Sequence, residues 1–163
     1  MSSKYIAKMI QRIQSLYLFL ISLLSSLLFS GSILTFISHS GAIIKITFAN
    51  IVKSTESNGL EVIEKLLPLS VIIVLISLVS LITIFIFKKR KIQLRLALFL
   101  IILCILLFVG LILGSVIAIS KQNASLEPGF KMIVPVAILI LSFLAYLGIR
   151  KDDKLVKSYD RLR

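Results

Sequence analysis

At 163 residues the chain has the length of one domain, yet 58% of its residues are hydrophobic and its mean hydropathy is +1.07. Such a composition excludes an ordinary soluble globule and places the chain among membrane proteins. The net charge of +12 would suit a nucleic-acid binder. Its distribution around apolar runs argues for membrane topology and against nucleic acid.

The runs are continuous and do not alternate for long, which excludes a transmembrane β-barrel and leaves helices, the element that satisfies its own backbone in lipid. The chain opens on a basic amphipathic stretch. Ile6, Met9, Ile10 and Ile13 recur at helical spacing, with Lys4, Lys8 and Arg12 opposite, so the first helix is predicted to extend N-terminally of its apolar run. That run, residues 13–37, carries no charge. It is long enough to cross about 30 Å of hydrocarbon, and much longer than the about 7 to 15 residues of a signal-peptide core. A retained helix is therefore predicted, in preference to a secretory signal cleaved near "SHSG". Ser22, Ser26 and Ser30 at four-residue spacing predict a helix-packing stripe on it.

Residues 38–65 form the one sizeable segment expected outside the bilayer, a small lid rather than a catalytic domain. Within it "AIIKITF" has the β-branched content of a short strand, "SNG" at Ser57 to Gly59 reads as a turn, and "LEVIEKLLP" reads as a brief amphipathic helix. His39 with Glu56, Glu61 and Glu64 is the only grouping that resembles catalytic chemistry, and a solvated loop is the better reading.

A second helix is predicted over residues 67–87, with Ser77, Ser80 and Thr83 along one side. Those hydroxyls either line a path for a solute or bond their own backbone. The second is favoured, since serine is a common packing residue in membranes. The short "KKRKIQLR" connection leads to a third helix, 96–119, in which Gly110, Gly114 and Ala118 extend a GxxxG packing motif by one step. Cys104, the only cysteine, lies mid-helix without a disulfide or metal partner and reads as a small core residue. The third connection carries Lys121 and Lys131, and "NAS" at Asn123 matches a glycosylation sequon relevant only in a eukaryotic secretory route. A fourth helix, 132–149, presents Ala137, Leu141 and Ala145, then Gly148.

The tail, residues 150–163, continues at helical spacing with Leu155, Val156, Tyr159 and Leu162 on one side. Asp152 and Asp153 directly follow the fourth helix. If that helix neighbours the first, they meet Lys8 and Arg12, so these four charged ends are predicted to form a contact. Lys and Arg divide fourteen to five between the two sides. Cytoplasmic loops carry the excess, so both termini and the "KKRK" loop are predicted to be cytoplasmic.

The expected fold is all-α: a four-helix transmembrane bundle running up-down-up-down, one integral domain over residues 1–163. Apart from Gln14 at the inner edge, the four runs carry no Asp, Glu, Lys, Arg, His, Asn or Gln, which argues against an ion or proton carrier. No catalytic, cofactor-binding or metal-binding set is predicted, and the chain is not expected to be an enzyme. The expected partners are a bilayer with anionic headgroups and a protein docked on the cytoplasmic face. The expected role is interaction or scaffolding; the alternative is a small channel or transporter component for an uncharged or lipid-like solute.

Two stretches carry a resemblance. "MIQRIQSLYL", Met9 to Leu18, and "IRKDDKLVKSYDRLR", Ile149 to Arg163, with four spans between them, resemble the domain of unknown function 4293 family of small integral membrane proteins in Gram-negative bacteria. The resemblance implies a four-span protein of the inner membrane and no assigned activity. Members often begin at the methionine matching Met9, which implies initiation there as an alternative to Met1.

Overall fold

The computed structural model of the chain describes residues 3–38, 41–55, 59–87, 89–122 and 124–160. His39, Glu56, Ser57, Asn58, Lys88 and Asn123 lie outside them. Four long helices are present: α1 Ser3–Leu27, α2 Leu67–Phe85, α3 Arg90–Gln122 and α4 Ile133–Asp160. Five strands accompany them: β1 Ser32–Ser38, β2 Ile43–Thr47, β3 Asn50–Thr55, β4 Gly59–Lys65 and β5 Ala124–Glu127. The strands form one antiparallel sheet in the order β4-β3-β2-β1-β5.

The sheet overturns the all-α expectation: this is a mixed helix-and-sheet chain, not an all-α four-helix bundle. The departure begins inside the first apolar run, where one helix over residues 13–37 is expected. α1 stops at Leu27, and Leu28 and Phe29 donate to the carbonyls of Ser25 and Ser26, three residues back. Gly31 then adopts φ +70 and turns the chain into β1. "SILTFIS" is as free of charge as the helix before it, but its β-branched and aromatic residues suit a pleated surface. Absence of charge measures residence in an apolar setting and does not distinguish a helix from a buried strand.

Two further expectations change with it. "LEVIEK", expected as an amphipathic helix, is β4, paired through Lys53 opposite Glu61 and Val52 opposite Val62. As an edge strand it carries the charges that discourage pairing with another chain. The expected lid is most of a sheet, completed by β5 from the third connection, where Phe36 of β1 faces Leu126.

Three helical segments are long and apolar enough to cross a membrane: Leu67–Phe85, Arg90–Ser120 and Phe130–Lys154. Ile13–Leu27 is a shorter apolar stretch, because β1 takes the rest of the run. Each helix packs against two others, α1 on α2 and α4, and α3 on α2 and α4. All four pass at one end into a strand, into the 3-10 turn Phe130–Met132, or directly out of β4. We call this the sheet end and the opposite one the basic end.

The helices and the sheet share one apolar core. Leu18, Ile21, Ile73, Ile76, Leu100, Leu107 and Ile138 are buried between helices, and Ile33, Phe36, Ile44, Ile46 and Ile51 are buried on the sheet. The alternation along β2, with Ile44 and Ile46 buried and Ile43 and Lys45 exposed, gives the sheet one face toward the helix ends. Phe29, just past α1, meets Phe48 of the β2–β3 turn edge to face, with centroids 5.0 Å apart.

Gly31 is where helix becomes strand. A Cβ there would sit 2.9 Å from Nζ of Lys131, whose ammonium donates to the carbonyl of Ser30. Gly31→Ala is expected to lower stability in detergent by about 1 to 2 kcal/mol, from left-handed backbone strain. Gly129→Ala, at an ordinary φ of −110 with open space at Cβ, is expected to be neutral. Thermal unfolding of both variants in one micelle checks the difference.

Candidate functional site

The polar chemistry among the described residues gathers at the basic end, where four helix termini meet without a sheet to join them. Gln14 lies on the same face of α1 as the core residues Leu18 and Ile21, and like them it is buried. Its Nε2 donates to Oδ2 of Asp152 at 2.8 Å. Asp152 is only 7% exposed although it lies beyond the apolar part of α4. Gly148, one turn before Asp152, makes room for the amide: a Cβ on it would stand 2.9 Å from Cγ of Gln14. The spacing of four puts Gly148 and Asp152 on one face of α4. The first clears space for the Gln14 side chain and the second accepts its hydrogen bond.

A second bond brings in the α2–α3 connection. Arg90 at the start of α3 donates through Nη1 to the backbone carbonyl of Asp152 at 3.1 Å. Gln93, one turn on and also buried, donates through Nε2 to the carbonyl of Thr83 near the end of α2, at 3.3 Å. All four helices are thereby linked by three bonds, α1 to α4, α4 to α3 and α3 to α2. The surroundings are cationic. Lys89, Lys91 and Arg95 are exposed around the start of α3, and Arg150, Lys151 and Lys154 are exposed on α4. The last three line, with Leu147, a hollow of about 290 Å³.

Of the four charged ends predicted to meet, Asp152 and Asp153 lie among the described side chains. α1 and α4 are neighbours, and Asp152 does turn toward α1. Among the described side chains its partner is Gln14; Lys8 and Arg12, the predicted partners, have side chains that lie outside those described. Asp153 is half-buried beside it. Gln14 is legible in the sequence as the lone amide in the apolar runs, and Gly148 as a small residue near the end of one, but nothing joins them until the helix faces are known. Arg90 and Gln93 carry no sequence signal beyond topology.

The predicted packing stripes divide. On α3, a Cβ on Gly110 would stand 3.0 Å from Cδ1 of Leu69 and one on Gly114 3.3 Å from Cδ1 of Ile46, and Ala118 is buried. The stripe therefore admits side chains from the start of α2 and from the sheet. On α1, Ser26 is exposed and Ser22 half-buried, while the fully buried serine is Ser25; Ser30, the third member of the predicted stripe, lies beyond the helix, exposed in the turn before β1. The hydroxyls of Ser25, Ser80, Thr83 and Ser142 donate to carbonyls three or four residues back on their own helices. Cys104 is buried on α3 beside Ser142 of α4.

Residues 10–162 match the model of a family described as "Domain of unknown function (DUF4293)". The chain belongs to that family. The match covers nearly the whole chain and takes in all but Met9 and Arg163 of the two stretches that carry the resemblance in the sequence, along with Gln14, Arg90, Gly148 and Asp152. No curated protein matches the chain. The family description assigns no activity, and the basic end has to be interpreted from its own geometry.

The geometry makes Gln14 and Asp152 an energetically coupled pair. Gln14→Leu leaves a buried carboxylate oxygen without its donor and is expected to cost about 1 to 3 kcal/mol. Replacing both residues, Gln14→Leu with Asp152→Leu, is expected to cost less than the sum of the single changes. Unfolding of the three variants in detergent measures the coupling; additive losses would show that the two side chains act independently.

Proposed function

We propose that the protein is a multi-pass component of the inner membrane whose basic end faces the cytoplasm and serves as a docking platform, without a catalytic step of its own. The observation that carries this reading is the Arg90–Asp152 bond. It holds the start of α3 against the end of α4, so that Lys89, Lys91 and Arg95 are presented together with Arg150, Lys151 and Lys154 from a segment some sixty residues later. Charges held on two helices tied to each other form a fixed pattern, and a fixed pattern supports recognition as well as general attraction.

The orientation draws support from the fourteen-to-five division of Lys and Arg, since retained basic residues mark the cytoplasmic side. The occupant favoured by the charge is an acidic protein surface, with anionic headgroups screening the same residues in its absence. Each basic residue near a charged bilayer contributes about 1 kcal/mol. The alternative, a conduit for an uncharged solute lined by the serine faces of α1 and α2, loses much of its polar lining. Ser25, Ser80 and Thr83 commit their hydroxyls to their own backbones.

Two measurements test the proposal. In a Cys104→Ala background, an impermeant maleimide applied to intact spheroplasts is expected to label Glu61→Cys at once and Lys154→Cys only after permeabilisation. The reverse pattern overturns the orientation. Reversal of Lys89, Lys91, Lys151 and Lys154 to Glu is expected to abolish a crosslinked partner in intact cells while the protein stays in the membrane. A partner retained by the reversed chain would not be docking on this face.

A further inference from the structure

At the sheet end, α3 and α4 diverge beneath the strands and enclose an apolar cavity of about 230 Å³. Leu34 and Phe36 of β1 roof it, Phe108 and Ser115 form the α3 wall, and Pro135 and Val136 form the α4 wall. Its one polar side chain is spoken for, since Ser115 Oγ donates to the carbonyl of Leu111 at 2.8 Å. A buried water needs two to four polar partners, and apolar cavities of about 150 Å³ stay dry yet accept benzene. This cavity is larger and has no free partner to offer among its lining side chains, so its contents are expected to be hydrocarbon.

The cavity is also open on one side. Ile112, Ile119, Leu126 and Met132 line it and are each more than 40% exposed. They continue without a polar break into Val109, Val116 and Ile140, which are exposed on the outer faces of α3 and α4. In the membrane reading proposed above, on which this inference rests, that outer surface is in contact with acyl chains of the leaflet next to the sheet. The entrance therefore lies among lipid tails, and the roof stops a chain that enters it. We propose that this groove is a lipid site that holds one acyl chain of a bilayer phospholipid between α3, α4 and the underside of β1.

The chain has no tryptophan, so single reporters can be introduced on a silent background. Phe108→Trp places one in the groove and Val109→Trp places one on the adjacent outer face. In vesicles of phosphatidylcholine with brominated acyl chains, both are expected to be quenched relative to unbrominated vesicles. Filling the groove with Ser115→Phe, or from the other wall with Val136→Phe, is expected to remove most of the quenching of the Phe108→Trp reporter and leave that of the Val109→Trp reporter intact. A Phe108→Trp reporter that is unquenched, or whose quenching ignores both filling substitutions, overturns the lipid site. An unquenched Val109→Trp overturns the membrane reading itself and the site with it.

Discussion

Helix packing in this chain rests on fit more than on polar exchange between the middles of helices, and the rest of the structure follows from how that is managed. Ser25, Ser80, Thr83 and Ser142, buried along the helices, return their hydroxyl protons to their own backbones, which satisfies them locally and leaves little to offer a neighbour. The contact of Cys104 with Ser142 is the exception, and a thiol is a weak partner. Association then depends on shape. Gly110 and Gly114 admit Leu69 and Ile46, Ala145 is fully buried, and Gly148 admits Gln14. Shape alone specifies a partner face loosely when lipid competes for the same apolar surface. The stronger polar contacts among the described residues accordingly gather toward the two ends.

The two ends solve the same problem differently. At the sheet end covalent continuity does most of it: each helix enters or leaves the sheet within a few residues, and backbone pairing across five strands fixes where those helix termini stand. Strands are admissible there because their unpaired edges, β4 and β5, need solvent or a covering group, which the interior of a bilayer does not supply. The basic end has only the short turn between α2 and α3 as a covalent link, so side chains replace it. Arg90 spans to α4, Gln14 spans from α1, and Gln93 reinforces the α2–α3 corner.

Much of this is legible in the residues, and where it is not the reason is physical. The runs of α2, α3 and α4 stand out because a charge-free stretch of helical length admits few alternatives, and the family is recognisable from the two charged ends, which Gln14 and Asp152 join across the fold. β1 escapes notice because its signal, "SGS" before a β-branched segment, is submerged in one uncharged run. β4 escapes because the apolar spacing of "LEVIEKLLP" fits a helical face as well as an edge strand, and only pairing with β3 decides between them. At the site, the sequence singles out Asp152 by its place just past the apolar run, although α4 itself continues to Asp160. The charge pattern draws attention to Lys8 and Arg12, whereas Gln14 is overlooked because an amide bond to a buried carboxylate becomes visible only once Gly148 is seen to leave room for it.

The difference between the ends also sets where the helices can separate. Opening the sheet end means breaking strand pairing and exposing Phe36, Ile44 and Ile46 together, all of them buried. Opening the basic end between α1 and α4 breaks the side-chain bond of Gln14 to Asp152, with Arg90 left holding the other side of α4. Local stability follows buried apolar contacts and satisfied polar groups, so among the described side chains the Gln14–Asp152 bond is the polar tie of α1 at that end. A partner bound to the cationic surface would add its contacts across Arg90 and α4, on the half already tied. The Gln14–Asp152 bond is consequently the contact that decides whether α1 belongs to that surface, and the close fit of Gly148 is what makes the bond possible.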